Sequence, residues 1–231
     1  VNVLTALAAG SISGASTICY NTTPAAFSST ASASGSAGTY QYQWQSSVDN
    51  VTFTDISGAT NVDYTSGALT QTTYFRRVVT TDVGCGPSYT ASLKVTVYDD
   101  LVAATIGSDQ NICYNTAPAT ISQSVAATGG DGTWTYQWES SDNGTSWSSI
   151  TGATTTSYSP SALKTTKYYR MKSIGGSGCG TVTSNAVMIL VYNDLYAGLV
   201  GNDHSVCPQS PANTLNGTTS PTGGDNTYTY Q

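Results

Sequence analysis

Residues 40–44 read Tyr40-Gln41-Tyr42-Gln43-Trp44, and residues 134–138 read Trp134-Thr135-Tyr136-Gln137-Trp138. Each run alternates aromatic and polar side chains at a period of two, as a strand with one buried face does. Leu93, Val95 and Val97 alternate in the same way, as do Val187, Ile189 and Val191. Between such runs lie turn sequences: Ser47-Val48-Asp49-Asn50, Asp142-Asn143-Gly144 and Gly129-Gly130-Asp131-Gly132.

The two aromatic runs start 94 residues apart, and so does much else. Cys19, Cys113 and Cys207 share that period, as do Cys85 with Cys179, Tyr64 with Tyr158, and Arg76 with Arg170. Laying 6–99 on 100–193 needs no gap and gives 35 identities in 94 positions, so the chain is a tandem repeat. About seven strand-like runs per copy predict an antiparallel sandwich of immunoglobulin-like type. The expected organisation is 1–5 as the last-strand end of a preceding copy, 6–99 as repeat 1, 100–193 as repeat 2, and 194–231 as the start of a third. Both ends fall in mid-repeat, which is expected of a window from a longer array.

Composition supports strands and little catalysis. Serine and threonine supply 69 of the 231 residues, charged residues 9%, and there is one glutamate (Glu139), one histidine (His204) and four lysines. Helix surfaces draw on Glu, Lys, Arg and Gln, which are scarce here. Sixteen tyrosines and four tryptophans suit half-buried strands. A net charge of −6 argues against a nucleic-acid partner, and no apolar run has the length of a membrane span. One His and one Glu leave little for acid–base chemistry, so no catalytic residue and no enzyme is expected.

The Tyr74-Phe75-Arg76-Arg77 and Tyr168-Tyr169-Arg170-Met171 runs are harder to orient. Met171 favours the face of Phe75 and Tyr169 as the buried one, and Arg77 argues against it.

Cysteines at a fixed period in a chain of low charge suggest disulfides and an oxidising compartment. The favoured pairing is within each copy, Cys19 with Cys85 and Cys113 with Cys179. The rival crosses the junction, Cys85 with Cys113 and Cys179 with Cys207. The junctions themselves, Tyr98-Asp99-Asp100-Leu101 and Tyr192-Asn193-Asp194-Leu195, carry none of the Gly, Ser or Pro runs of a loose linker. An elongated rod gaining on the order of 30–40 Å per copy is expected, with Leu101, Leu195 and the junction tyrosines packing between copies.

Two ligand chemistries have candidates. Phe53 and Trp147 occupy equivalent places after a turn and are candidate contacts for a sugar ring. Asp99, Asp100 and Asp194, with Asp109 and Asp203 nearby, are candidate calcium ligands at the junctions; no other cofactor or metal is expected. Asn21, Asn50, Asn143 and Asn216 lie in Asn-x-Ser/Thr sequons.

The order Ile-Cys-Tyr-Asn, Pro, Gly-rich turn, Tyr-Gln-Trp, Ile-x-Gly-Ala-Thr, Tyr, Tyr-(Phe/Tyr)-Arg, Gly-Cys-Gly and Val-x-Val resembles the tandem extracellular repeats of giant Bacteroidota surface proteins, of which the SprB-type gliding-motility adhesins are members. The positions that carry it are Cys19, Tyr42, Trp44, Ile56, Gly58, Tyr64, Tyr74, Arg76 and Cys85, with their partners 94 residues on. The resemblance implies a non-enzymatic segment of a cell-surface adhesin filament, exported by the type IX route and attaching the cell to surfaces in gliding. Its partners would be an extracellular surface or polysaccharide, the neighbouring repeats, and other filaments through lateral self-association. The alternative is a carbohydrate-binding array or a passive spacer stalk of a secreted multidomain protein.

Overall fold

The computed structural model describes residues 3–84, 86–201, 205–209, 211 and 214–230. Copy 1 contains β1 (Ser11–Ser13), β2 (Ser16–Ile18), β3 (Ser28–Ala31), β4 (Tyr40–Ser47), β5 (Thr54–Asp55), β6 (Thr73–Thr81), β7 (Ser88–Tyr89) and β8 (Leu93–Val97). Copy 2 runs through β9 (Asp99–Val102), β10 (Thr105–Ile106), β11 (Gln110–Ile112), β12 (Ile121–Val125), β13 (Thr128–Gly130), β14 (Trp134–Ser141), β15 (Ser148–Ser149), β16 (Ser157–Tyr158), β17 (Lys167–Gly175), β18 (Gly180–Thr183) and β19 (Val187–Val191). The third begins with β20 (Asn193–Tyr196), β21 (Leu199–Gly201), β22 (Asn216–Thr219) and β23 (Thr222–Gly224). Among the described residues the only helical turn is Gly176–Gly178, and no helix is long and apolar enough to cross a membrane.

In copy 1 the larger sheet runs β2-β8-β6-β4-β5, with β7 also on β6. The pair β4–β6 carries the register, from Tyr40 opposite Thr81 to Ser47 opposite Tyr74. Strand β2 joins the sheet parallel to β8, with Ser16 opposite Val95 and Ile18 opposite Val97. Facing this sheet are β1 paired with β3 and the bridge of Phe27 to Tyr64. Copy 2 repeats the plan as β11-β19-β17-β14-β15 over β10-β12-β16. A sheet of mixed direction facing a smaller one, in both copies, is the immunoglobulin-like sandwich that the periodicity predicts.

The alternation of Tyr-Gln-Trp places Trp44 and Trp138 in the cores, both fully buried. In copy 1, Phe27, Phe75, Ala59 and Val95 close around Trp44, with Phe27 and Phe75 rings 4.7 Å apart. Aromatic packing thus joins the two sheets at the place where antibody domains carry an inter-sheet disulfide. The Ile-x-Gly-Ala-Thr motif turns out to be a clamp on the tryptophan. Trp44 N–H donates to the Ala59 carbonyl and accepts at its own carbonyl from Ile56 N–H, each at 2.9 Å. Its indole N–H donates to the Asn61 carbonyl at 3.0 Å, and Trp138 does the same to Thr155 at 2.9 Å. The turn that brings Ala59 back requires Gly58 at φ 74°, a conformation costly for other residues.

The face of Phe75 and Tyr169 is the buried one, and Arg77 is buried with it. Arg77 has no exposure; its guanidinium donates to the carbonyls of Val62 at 2.7 Å and Ala9 at 3.1 Å. It lies over the Tyr42 ring at 4.8 Å, and among the described residues its Nε has no hydrogen-bond partner. Burial lowers its pKa, outweighing the opposing influence of Tyr42 and the Asp63 carboxylate, because the charge has left water. Copy 2 solves the same position with Met171, also fully buried. Accordingly Arg77→Met is expected to change stability by less than about 1.5 kcal/mol, since an apolar isostere of a buried charge is often neutral. Arg77→Ala, which leaves a cavity, is expected to cost about 2 kcal/mol or more; urea denaturation of the two variants separates these outcomes.

The chain clusters into two compact units. One comprises Val1–Val102, Thr128–Trp134 and Ile174–Thr181; the other comprises Ala103–Ala127, Thr135–Ser173 and Val182–Gln231. The segment 98–101 is therefore more than a connector. Asp99–Val102 is strand β9, pairing with β13 so that Thr128 faces Val102 and Gly130 faces Asp99. Gly129 makes the pairing close: a Cβ there would stand 1.8 Å from the Asp100 carbonyl oxygen.

Candidate functional site

The cysteines correct the expected pairing. Cys19 is bonded to Cys179, and both belong to the first unit; Cys113 and Cys207 are free and exposed. Cys85 and Asp203 lie outside the described residues, as does His204. Neither Cys19–Cys85 with Cys113–Cys179 nor the junction pairing Cys85–Cys113 with Cys179–Cys207 is compatible with this bond. The reason is the direction of the strands. Cys19 follows β2 beside Val97, at the end of the sheet where β6 begins at Thr73. The turn after Thr81 lies at the other end of that nine-residue strand, roughly 30 Å away at 3.3 Å per residue. Bonded cysteines need Cα atoms within about 7 Å, and Cys19 and Cys179 meet this at 5.2 Å.

The loop that carries Cys179 is seated within the same unit. A Cβ on Gly175 would come 3.1 Å from Leu101 Cδ2, and one on Gly130 would come 2.9 Å from the same methyl. Leu101 is half-buried there, whereas Leu195, its equivalent, is 63% exposed. Asp131 ties the loop further: it accepts from Thr133 N–H at 2.9 Å and from Ser177 Oγ at 2.6 Å. Those donors, Ser177 foremost, hold its carboxyl below the ordinary range.

The acidic candidates serve the backbone. Asp100 Oδ1 accepts from Leu101 N–H at 2.9 Å, Asp194 Oδ1 from Leu195 N–H at 3.0 Å, and Asp109 Oδ1 from Met188 N–H at 2.7 Å. Asp99 is exposed in β9 opposite Gly130. Among the described residues no three His, Cys, Asp or Glu side chains come together as metal ligands would.

Phe53 and Trp147 each lie under an arginine. The Arg76 guanidinium is 4.0 Å from the Phe53 ring centre and 4.3 Å from that of Tyr89. Arg170 lies 4.3 Å from the Trp147 ring centre. Both rings are half-buried, and a cation on an aromatic face is an attractive contact in its own right. The arginines were visible in the repeat as Arg76 and Arg170, but nothing in the sequence tied them to the aromatics across the turn. In copy 1 the Arg76 Nε donates to Gln45 at 2.7 Å. Copy 2 has Glu139 in that place, 3% exposed, bonded to Arg170 at 2.7 Å and Lys172 at 2.5 Å.

Burial by itself would raise the Glu139 pKa; the bonds from Lys172 and Arg170 outweigh it and hold the carboxyl below its ordinary value. A folded-state pKa below the unfolded one adds stability above the unfolded value, near 4.3, and loses it as pH falls through the folded value. Thermal unfolding of Glu139→Gln is therefore expected to show a lower Tm than the parent at pH 7 and a smaller fall between pH 5 and 3. Equal pH slopes would contradict this role.

The comparisons with known proteins concern the fold. Three titin domains (I67–I69, an E-to-A variant) align at 10% identity with a TM-score of 0.44, over 79% of this chain and 64% of theirs. The three N-terminal domains of the bacteriophage RB49 highly immunogenic outer capsid protein align at 14% and 0.45, over 82% and 69%. The FN1–FN3 domains of chicken CNTN1 align at 13% and 0.37, over 87% and 71%. This chain thus spans somewhat under two thirds of the titin segment. None of the curated proteins matches it. At the level of sequence, residues 8–99 and 102–193 each match one family over their whole length, covering most of the chain. The chain belongs, twice over, to the family described as "Domain of unknown function (DUF8696)".

Proposed function

We propose that the chain is a non-enzymatic segment of a large cell-surface adhesin filament of the SprB type, whose repeats attach an exported protein to an extracellular surface or polysaccharide. The observation that carries the reading is the tandem repetition of one sandwich, with a disulfide between the first cysteine of one copy and the second cysteine of the next, an arrangement suited to presenting many equal, weak contacts outside the cell. The scarcity of Glu and His in the sequence supports it: the one glutamate is committed to Arg170 and Lys172. Gliding motility and type IX export rest on the resemblance of the motif positions. The alternative, a carbohydrate-binding array, is favoured by the Trp147–Arg170 pair, an aromatic ring held rigid beside a hydrogen-bond donor.

The test is binding of the 231-residue chain to a glycan panel and to hydrophobic and hydrophilic surfaces. Saturable attachment to a solid surface is expected, weakened about tenfold when Phe53→Ala and Trp147→Ala together remove roughly 1.4 kcal/mol of contact. Binding confined to particular glycans would select the carbohydrate-binding alternative. A folded chain that binds nothing would overturn both and leave a passive spacer.

A further inference from the structure

Cys113 is free, yet its surroundings repeat those of bonded Cys19 bond for bond. The Thr22 hydroxyl donates to the Cys19 carbonyl at 2.7 Å, and Thr116 donates to the Cys113 carbonyl at 2.5 Å. Asn21 N–H donates to Leu69 and Asn115 N–H to Leu163, both at 2.7 Å, with φ of 56° and 58°. Tyr98 N–H donates to Ile18 at 2.9 Å, and Tyr192 N–H to Ile112 at 3.0 Å. Each copy therefore presents its first cysteine at the same corner of the sandwich, next to the strand that leaves it.

A second, independent feature lies beside that corner. Cys179 reaches Cys19 on a loop seated on Leu101, which the antiparallel pair of β9 and β13 displays. That seat is built again one period later. β20 and β23 pair with Asn193 opposite Gly224 and Tyr196 opposite Thr222. A Cβ on Gly223 would stand 1.7 Å from the Asp194 carbonyl oxygen, as one on Gly129 stands 1.8 Å from that of Asp100. Gly224 would place a Cβ 3.7 Å from Leu195 Cδ1. Leu195 is 63% exposed, and an open cleft lined by Tyr114, Asp194, Thr222 and Gly223 adjoins it. Seat and thiol are both in place, and both lie in the second unit.

We propose that the Cys19–Cys179 bond is one rung of a register in which the first cysteine of each copy bonds to the second cysteine of the copy after it, so that Cys113 is the bonding site for the second-cysteine loop of the copy that begins at residue 194. The occupant is a loop equivalent to Gly175–Gly180, with glycines against Leu195 as Gly175 lies against Leu101. The chemistry is thiol–disulfide exchange with a low-molecular-weight disulfide. The Cys113 thiolate attacks that disulfide and expels one small thiolate. The second-cysteine thiolate then attacks Cys113 Sγ and expels the other. Two protein thiols become one disulfide, and the small disulfide is reduced to two thiols. Closure inside copy 2 is excluded, because Cys179 is already bonded to Cys19.

The experiment lengthens the 231-residue chain after Gln231 with a second copy of the sequence 138–193, which completes the third repeat. The protein is refolded with oxidised glutathione, alkylated, and digested without reduction, and cross-linked peptides are identified by mass spectrometry. Two links are expected: Cys19 with Cys179, and Cys113 with the second cysteine of the completed repeat. In Cys113→Ser the added cysteine should become alkylated while Cys19–Cys179 persists. Alkylation of Cys113 in a chain whose Cys19–Cys179 link has formed would overturn the register. As a check independent of the added segment, the original chain should yield Cys19–Cys179 with Cys113 alkylated; a Cys113 link to Cys85 or Cys179 would overturn it equally. These readouts are peptide masses, so they stand or fall apart from any result on surface attachment.

Discussion

Cys19→Ser is expected to lower the thermal stability of the first unit by up to roughly 10–20 °C, and Cys113→Ser to leave it unchanged. The Cys19–Cys179 bond closes a loop with a sequence separation of 160, for which the chain-entropy argument gives up to about 5 kcal/mol. For a folded body of this size each kcal/mol corresponds to about 2–4 °C. The loop is also held by Leu101 and by the Asp131–Ser177 bond, so part of the seat survives reduction and the full entropic value is an upper bound. Differential scanning calorimetry with and without reductant measures the effect directly. The pairing within copies makes the opposite statement about the control: there, Cys113→Ser would be as damaging as Cys19→Ser.

Trp138→Ala should cost about 3–5 kcal/mol, the range for removing a large buried aromatic. The indole is fully buried, its ring lies 5.9 Å from that of Tyr158, and its N–H bond to Thr155 is lost with it. Total stabilities of about 5–15 kcal/mol leave little after such a loss, so copy 2 should be largely unfolded near body temperature. Trp44→Ala should behave alike in copy 1, where Phe27 and Tyr64 lie 5.8 and 5.6 Å from the indole. Guanidinium unfolding followed by far-UV circular dichroism reads both. A loss below about 1.5 kcal/mol would mean that the clamp of Ile56 and Ala59 keeps the site closed without its occupant.

Strands with one buried face could be read from the chain because burial at period two leaves a mark on every second residue. That mark placed β4, β14, β8 and β19, and Met171 disclosed which face of β17 is inside. The turns were legible too: Asp49 Oδ1 accepts from Val51 and Thr52 N–H at 2.8 Å each, and Asn143 Oδ1 from Thr145 and Ser146 at 2.9 and 2.8 Å. What stayed hidden depends on direction instead of composition. Ser16-Thr17-Ile18 is too short and polar to announce a parallel strand. Spacing along the chain does not say at which end of a sandwich a loop emerges, and so the cysteine pairing was unreadable. Asp99–Val102 looks like a connector because its partner, Thr128–Gly130, is mostly glycine and shows no pattern of burial.

The bond next to β2 also decides how the chain answers a pull. Tension entering through residues 3–18 arrives at Cys19 and passes straight to Cys179 through sulfur. The intervening segment, a separation of 160 residues, would pay out about 560 Å of contour at roughly 3.5 Å per residue if it were free. With the link closed that slack is locked away, whether or not the sandwich inside it stays folded. Between Cys19 and Cys179 the polypeptide is therefore a short tether when oxidised and a long, yielding one when reduced.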